Sequence, residues 1–152
     1  MSTQPDPPSS TQLARWPAKM DKRRDGWRIR LLALPIEATG PDFESALRST
    51  QAALNEWIEA RLNAGESIKP PAEQRSDLLV TPTARLQAAL LFVWASEDVR
   101  TSEMERRLRT SWKRVNELRS GCNATLDRVE AAAAAVGRTL VVGYVEHPEC
   151  QS

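Results

Sequence analysis

The chain has 152 residues, with 21 Lys and Arg balanced by 20 Asp and Glu. That length fits one ordinary domain or two small ones. The balanced charge excludes a protein that binds nucleic acid through its overall field, so any such role must rest on local clustering.

The first residues, MSTQPDPPSSTQ (1–12), are Pro, Ser and polar residues without periodicity. They are expected to form a disordered tail, because they bury too little apolar surface to offset the cost of ordering. They carry no signal-peptide apolar region, and no apolar run approaches the ~18 residues of a membrane span, so a cytoplasmic location is expected.

Residues 13–66 read as an α+β unit. Asp25-Gly26 is a turn signal, after which Trp27, Ile29 and Leu31 alternate with Arg28 and Arg30 in the period-two pattern of a half-buried strand. Trp16 to Met20 is the expected partner strand, with Pro17 pointing to a sheet edge. A third short strand is expected near Ile36–Thr39. Asp42 then caps a long helix whose Phe43, Ala46, Leu47, Leu54, Trp57, Ile58 and Leu62 make one apolar stripe, and Gly65 stops it. The stripe would lie on a small antiparallel sheet.

Residues 67–81 read as a linker, with Pro70-Pro71 barring helix and LLVT (78–81) available as a short strand. Residues 82–145 read as an all-α unit. Thr81-Pro82 would open its first helix, which carries Leu86, Leu90, Val93 and Trp94. The alanine-rich ATLDRVEAAAAAVG is its last helix, ended by Gly137. RTLVVGYV then reads as a final strand that needs a partner for its backbone, and a symmetry mate is the economical one through Leu140, Val141, Val142 and Tyr144. Residues 146–152 are a polar tail. Cys122 and Cys150 have no metal-ligand spacing and read as free thiols in a reducing compartment.

Between these helices lies RTSEMERRLRTSWKRVNELRSG (100–121), with seven cations against three acids, a net +4. Met104, Leu108, Val115 and Leu118 are the apolar positions of two short helices around a turn. Ser102 and Glu105 have the spacing of a capping box, and Thr110 or Ser111 can cap the second helix. That helix then turns Trp112, Lys113, Asn116, Glu117 and Ser120 outward, flanked by Arg114 and Arg119. Lys suits guanine, Asn adenine, Glu cytosine and Arg phosphate in a major groove, and the helix start at Ser111 would offer free N–H groups to a phosphate. Basic surface helices are also common without such a role, and their Lys and Arg mostly face water. An exposed tryptophan such as Trp112 usually has a partner.

RWPAKMDKRRDGWRIRLLALP followed by GPDFESAL resembles the N-terminal domain of the HicB antitoxins. The segment from TPTARLQAALLFVWASEDVR through LVV resembles their C-terminal helix-turn-helix. The resemblance covers residues 14 to 145 and lies in the two-domain combination rather than in any single motif. It implies a partial RNase H-like α+β domain that binds and blocks a HicA-type mRNA-cleaving toxin. It also implies a helix-turn-helix that represses its own operon as a homodimer or higher oligomer, the final strand contributing to dimerisation. The chain departs from the family pattern in three places. Ala33-Leu34-Pro35 replaces an Asp-Leu-Pro-like segment, Glu105 replaces a small residue inside the first helix, and Arg109 stands where glycine is usual in the turn. Arginine in a left-handed conformation costs about 1–2 kcal/mol, so a different turn geometry is expected.

No enzyme, cofactor or metal is expected. The single histidine, His147, lies in the polar tail, no catalytic arrangement is visible, and Asp21 and Asp25 are turn residues. Two other readings remain from sequence: a stand-alone transcriptional regulator whose α+β domain oligomerises or binds another partner, and a pure interaction module whose helix pair serves dimerisation.

Overall fold

The computed structural model describes residues 12–144 and residue 146. Residues 1–11 of the expected tail, Val145 of the expected final strand, and His147 and Cys150 lie outside the described residues.

Alternation builds the sheet. Strand β1 (Trp16–Arg23) and strand β2 (Gly26–Leu31) form a hairpin around Arg24-Asp25, with Ala18 opposite Leu31 and Arg23 opposite Gly26. Gly26 has φ +148°, and a Cβ there would lie 2.2 Å from the Gly40 carbonyl oxygen. Only glycine fits where these two backbones meet. Strand β3 (Glu37–Gly40) pairs with β2, and strand β4 (Leu78–Val80) pairs with β1, giving an antiparallel sheet in the order β3-β2-β1-β4. Trp16, Ala18, Ile29, Leu31, Leu78 and Val80 are buried, while Lys19, Arg30, Glu37 and Leu79 on the other face are exposed, as the two-residue period dictates.

Pro17 is not on an edge strand: β1 lies between β2 and β4. The missing N–H is tolerated because of its position. The Pro17 carbonyl accepts the Leu32 N–H (3.0 Å) just past the end of β2, so the proline ends that ladder instead of interrupting it.

Helix α1 (Phe43–Asn63) covers the buried face. Asp42 Oδ1 accepts the Ser45 N–H at 2.7 Å, and that bond holds its carboxyl below the ordinary value. Phe43 meets Trp27 edge-to-face, with ring centroids 5.8 Å apart. At the far end, Gly65 takes φ +70° while Glu66 N–H reaches back to the Arg61 carbonyl (2.9 Å), the six-to-one bond of a Schellman stop. Residues 67–81, linker-like in composition, run along this unit. Ile68 is buried and its carbonyl accepts the Trp94 indole N–H at 2.7 Å, and the short strand in this segment is β4 itself.

Helix α2 (Ala84–Ala95) begins two residues later than Thr81-Pro82 would place it. Its N-cap is Thr83, whose carbonyl accepts Leu86 and Gln87 N–H groups and whose own N–H is held by Asn55 Oδ1 at 2.9 Å. Pro82 is buried ahead of the helix. The packing of the sheet unit thus sets the start that local sequence placed earlier. α2 is shared: Leu86 and Leu90 belong to the core under the sheet, whereas Phe92 joins a second cluster with Met104, Val115 and Ala132. That cluster is enclosed by α3 (Thr101–Leu108), α4 (Trp112–Ser120) and α5 (Leu126–Ala135). Thr125 caps α5 by accepting the Arg128 N–H at 3.3 Å, and Gly137 ends it at φ +73°.

Residues 138–144 form no strand. Leu140 is half-buried, and Val141, Val142 and Tyr144 are exposed. A strand exists only where a neighbour completes its hydrogen-bond ladder, and none of the four described strands pairs with this segment. No described helix is long and apolar enough to cross a membrane. No group of three His, Cys, Asp or Glu among the described residues could hold a metal ion.

Candidate nucleic-acid interface

α3 starts without the capping box. Its N-cap is Arg100, with no side-chain cap bond, so Ser102 and Glu105 fall inside the helix rather than at its boundary. The acid that matters in its first turn is Glu103. Arg106 Nε (3.0 Å) and Arg107 Nε (3.1 Å) both donate to its carboxylate, which is held at about 2 by the Arg106 bond first and the Arg107 bond second. Arg107 Nη1 also donates to the Ala135 carbonyl at 3.1 Å, tying α3 to the C-terminal end of α5. Arg106 and Arg107 therefore serve the scaffold.

The turn keeps left-handed geometry despite its arginine. Arg109 has φ 52° and ψ 49°; Thr110 N–H reaches the Glu105 carbonyl at 3.0 Å and Arg109 N–H the Arg106 carbonyl at 3.4 Å. These are the two bonds of a Schellman motif. The expectation of another turn geometry fails because the hydrogen bonds at this helix end demand one residue in that conformation, whatever its side chain. Arginine rather than glycine there costs about 1–2 kcal/mol.

Ser111 is the cap of α4. Its backbone is extended, and its Oγ faces the Arg114 N–H at 3.5 Å. Val115 is fully buried and Leu118 half-buried, which fixes the rotation of the helix. Trp112 is then 62 % exposed, and Ser111, Lys113, Arg114 and Asn116 are exposed beside it. Glu117 is half-buried. Arg119 points elsewhere: Nη1 donates to Thr101 Oγ1 (2.9 Å) and Nη2 to the Val99 carbonyl (3.5 Å), bracing the start of α3. Five of the seven candidate contact residues thus lie on an open surface, one lines its margin, and Arg119 is a strut.

The structure adds residues that sequence reasoning left out. The turn after α4 and the first turn of α5 bring Asn123, Thr125 and Arg128 to the same hollow as Ser111, Lys113, Arg114 and Glu117. A basic residue in the first turn of an alanine-rich helix was the one local signal, and it does not say which neighbour that turn will face. The surface can offer hydrogen-bond donors, cations and one large aromatic face to an anionic polymer.

Compared with known proteins, the chain matches no family model and no curated sequence.

Proposed function

We propose that this chain is an antitoxin and autorepressor. Its α3–α4 pair is a helix-turn-helix that reads the operator of its own operon, and its α+β unit, a partial RNase H-like domain, blocks a HicA-type mRNA-cleaving toxin. The observation that carries the DNA-reading half is the outward row Trp112, Lys113 and Asn116 on a helix entered through a left-handed turn. Lys113 and Asn116 are three residues apart on one helix face, the separation that lets two side chains reach neighbouring bases. The α+β unit supports the other half through the sheet face on which Lys19, Arg30, Glu37 and Leu79 are exposed, a surface available to a protein partner, with Pro17 buried at its margin.

The test is binding to duplex DNA from the promoter of its own gene against random duplex at ~150 mM salt. The promoter should bind more tightly, and alanine at Lys113 or Asn116 should weaken specific binding by about 1–3 kcal/mol each. Equal binding of the two duplexes would end the repressor reading. The toxin half is tested separately, by co-expression with the product of an adjacent short basic reading frame, which should be neutralised and co-purify.

Leu140, Val141, Val142 and Tyr144 are the proposed dimer contacts, because an apolar segment with Val141, Val142 and Tyr144 exposed and no described strand beside it would gain both a ladder and burial by pairing with its copy. Sedimentation should give a dimer or higher oligomer; a monomer at tens of micromolar would remove this part.

A further inference from the structure

Two adjoining hollows beside α4 share Arg114, Glu117, Asn123 and Arg128; one is also lined by Arg109, the other by Lys113. Four cations thus surround one acid. None of the four has an ion-pair partner among the described residues. Like charges gathered without counter-ions repel one another, and a surface that keeps them is suited to an anion. The Arg128 guanidinium is also held in place, its Nη1 donating to the Asn123 carbonyl at 3.0 Å.

A second observation is independent of charge. Among the described residues, only Arg109 (φ 52°) and Asn123 (φ 50°) are non-glycine residues with positive φ, and both line this groove. Asparagine tolerates that conformation; arginine does so at a cost. The other helices ending in a left-handed residue, α1, α4 and α5, use Gly65, Gly121 and Gly137. Strain kept where glycine would relieve it points to a role for the side chain.

Resting on the DNA-binding reading above, we propose that Arg109 and Arg128 clamp a backbone phosphate of the nucleic acid across this groove, outside the base-reading row of α4. Arg109 approaches from the α3–α4 turn and Arg128 from the first turn of α5, so the phosphate would fix the orientation of α4 between them. Such a contact is independent of sequence, and it adds to the salt dependence rather than to base discrimination.

The test uses the full chain and a random-sequence 30-base-pair duplex, titrated by fluorescence anisotropy between 50 and 200 mM salt, with thermal melts alongside. Arg109→Gly should raise Tm by roughly 2–6 °C, because it relieves the left-handed strain. It should also weaken binding about tenfold and make the log–log salt slope shallower by about 0.9, the share of one phosphate. Arg128→Ala should weaken binding and flatten the slope similarly, whereas Arg109→Lys, which keeps the charge, should bind within about threefold of the parent. Arg24→Ala, at the hairpin tip, controls for net charge and should leave the slope unchanged. A more stable Arg109→Gly protein with unaltered affinity and slope would overturn the clamp while leaving the repressor reading intact. Parent protein with no affinity for any duplex would overturn both, and competition by polyglutamate stronger than by duplex would overturn the choice of nucleic acid.

Discussion

Val115→Asp is expected to unfold the α3–α5 unit and abolish the proposed DNA binding. Val115 is fully buried, and its cluster contains only three other buried residues, Phe92, Met104 and Ala132, with Leu108 and Leu118 half-buried around them. Burying an uncompensated carboxylate costs several kcal/mol or more in practice, and no described cation is paired into this cluster to offset it. So small a core cannot absorb that penalty within the ~5–15 kcal/mol that stabilises a whole domain. Far-UV circular dichroism should lose the signal of α3, α4 and α5, and proteolysis should open sites beyond Ser96 first, with the sheet unit weakened as well because α2 supplies Leu86 and Leu90 to its core. Retention of full helicity would show that the cluster is not what holds these helices together.

That cluster illustrates which features were legible in the residues. The apolar positions Met104, Leu108, Val115 and Leu118 could be assigned because three- and four-residue spacing places them on one side of each helix before any neighbour is known. The same holds for the β1–β2 hairpin, whose Trp27, Ile29 and Leu31 alternate beside a glycine turn, and for α1, with its Asp42 cap and Gly65 stop. Apart from the Arg109 turn and the start of α3, which were decided locally, what failed depended on partners distant in the chain. Pro17 looked like an edge residue because a proline removes a donor. Whether that donor is needed depends on where β2 ends, and β1 becomes central only through pairing with Leu78–Val80, about sixty residues onward. Thr81-Pro82 has the local chemistry of a helix start, yet Asn55 of α1 holds the Thr83 N–H and moves the start to Ala84. Arg119 sits on α4 where a flanking DNA contact was expected, but the beginning of α3 supplies Thr101 and the Val99 carbonyl to hold it. The groove beside α4 is the clearest case. Arg109 and Arg128 are separated by a whole helix and two turns, and no periodicity links them.

Trp16→Ala should have the other large effect, a loss of about 3–5 kcal/mol in folding free energy. Trp16 is 1 % exposed and ranks among the largest fully buried side chains. It opens the central strand, facing Val80 across the sheet, in the core shared with Leu54 and Ile58 of α1 and Leu86 and Leu90 of α2. The cavity would therefore open in the core that Leu86 and Leu90 of α2 help to close. Because α2 also supplies Phe92 to the second cluster, weakening one end of it should weaken the other. Urea unfolding followed at 222 nm should show one cooperative transition with a lowered midpoint, and the proposed DNA affinity should fall as the folded population falls. Two separated transitions, with duplex binding undisturbed through the first, would mean that α2 does not couple the units. In that case α4 would be presented by α3 and α5 alone, and loss of the sheet would leave the candidate interface standing.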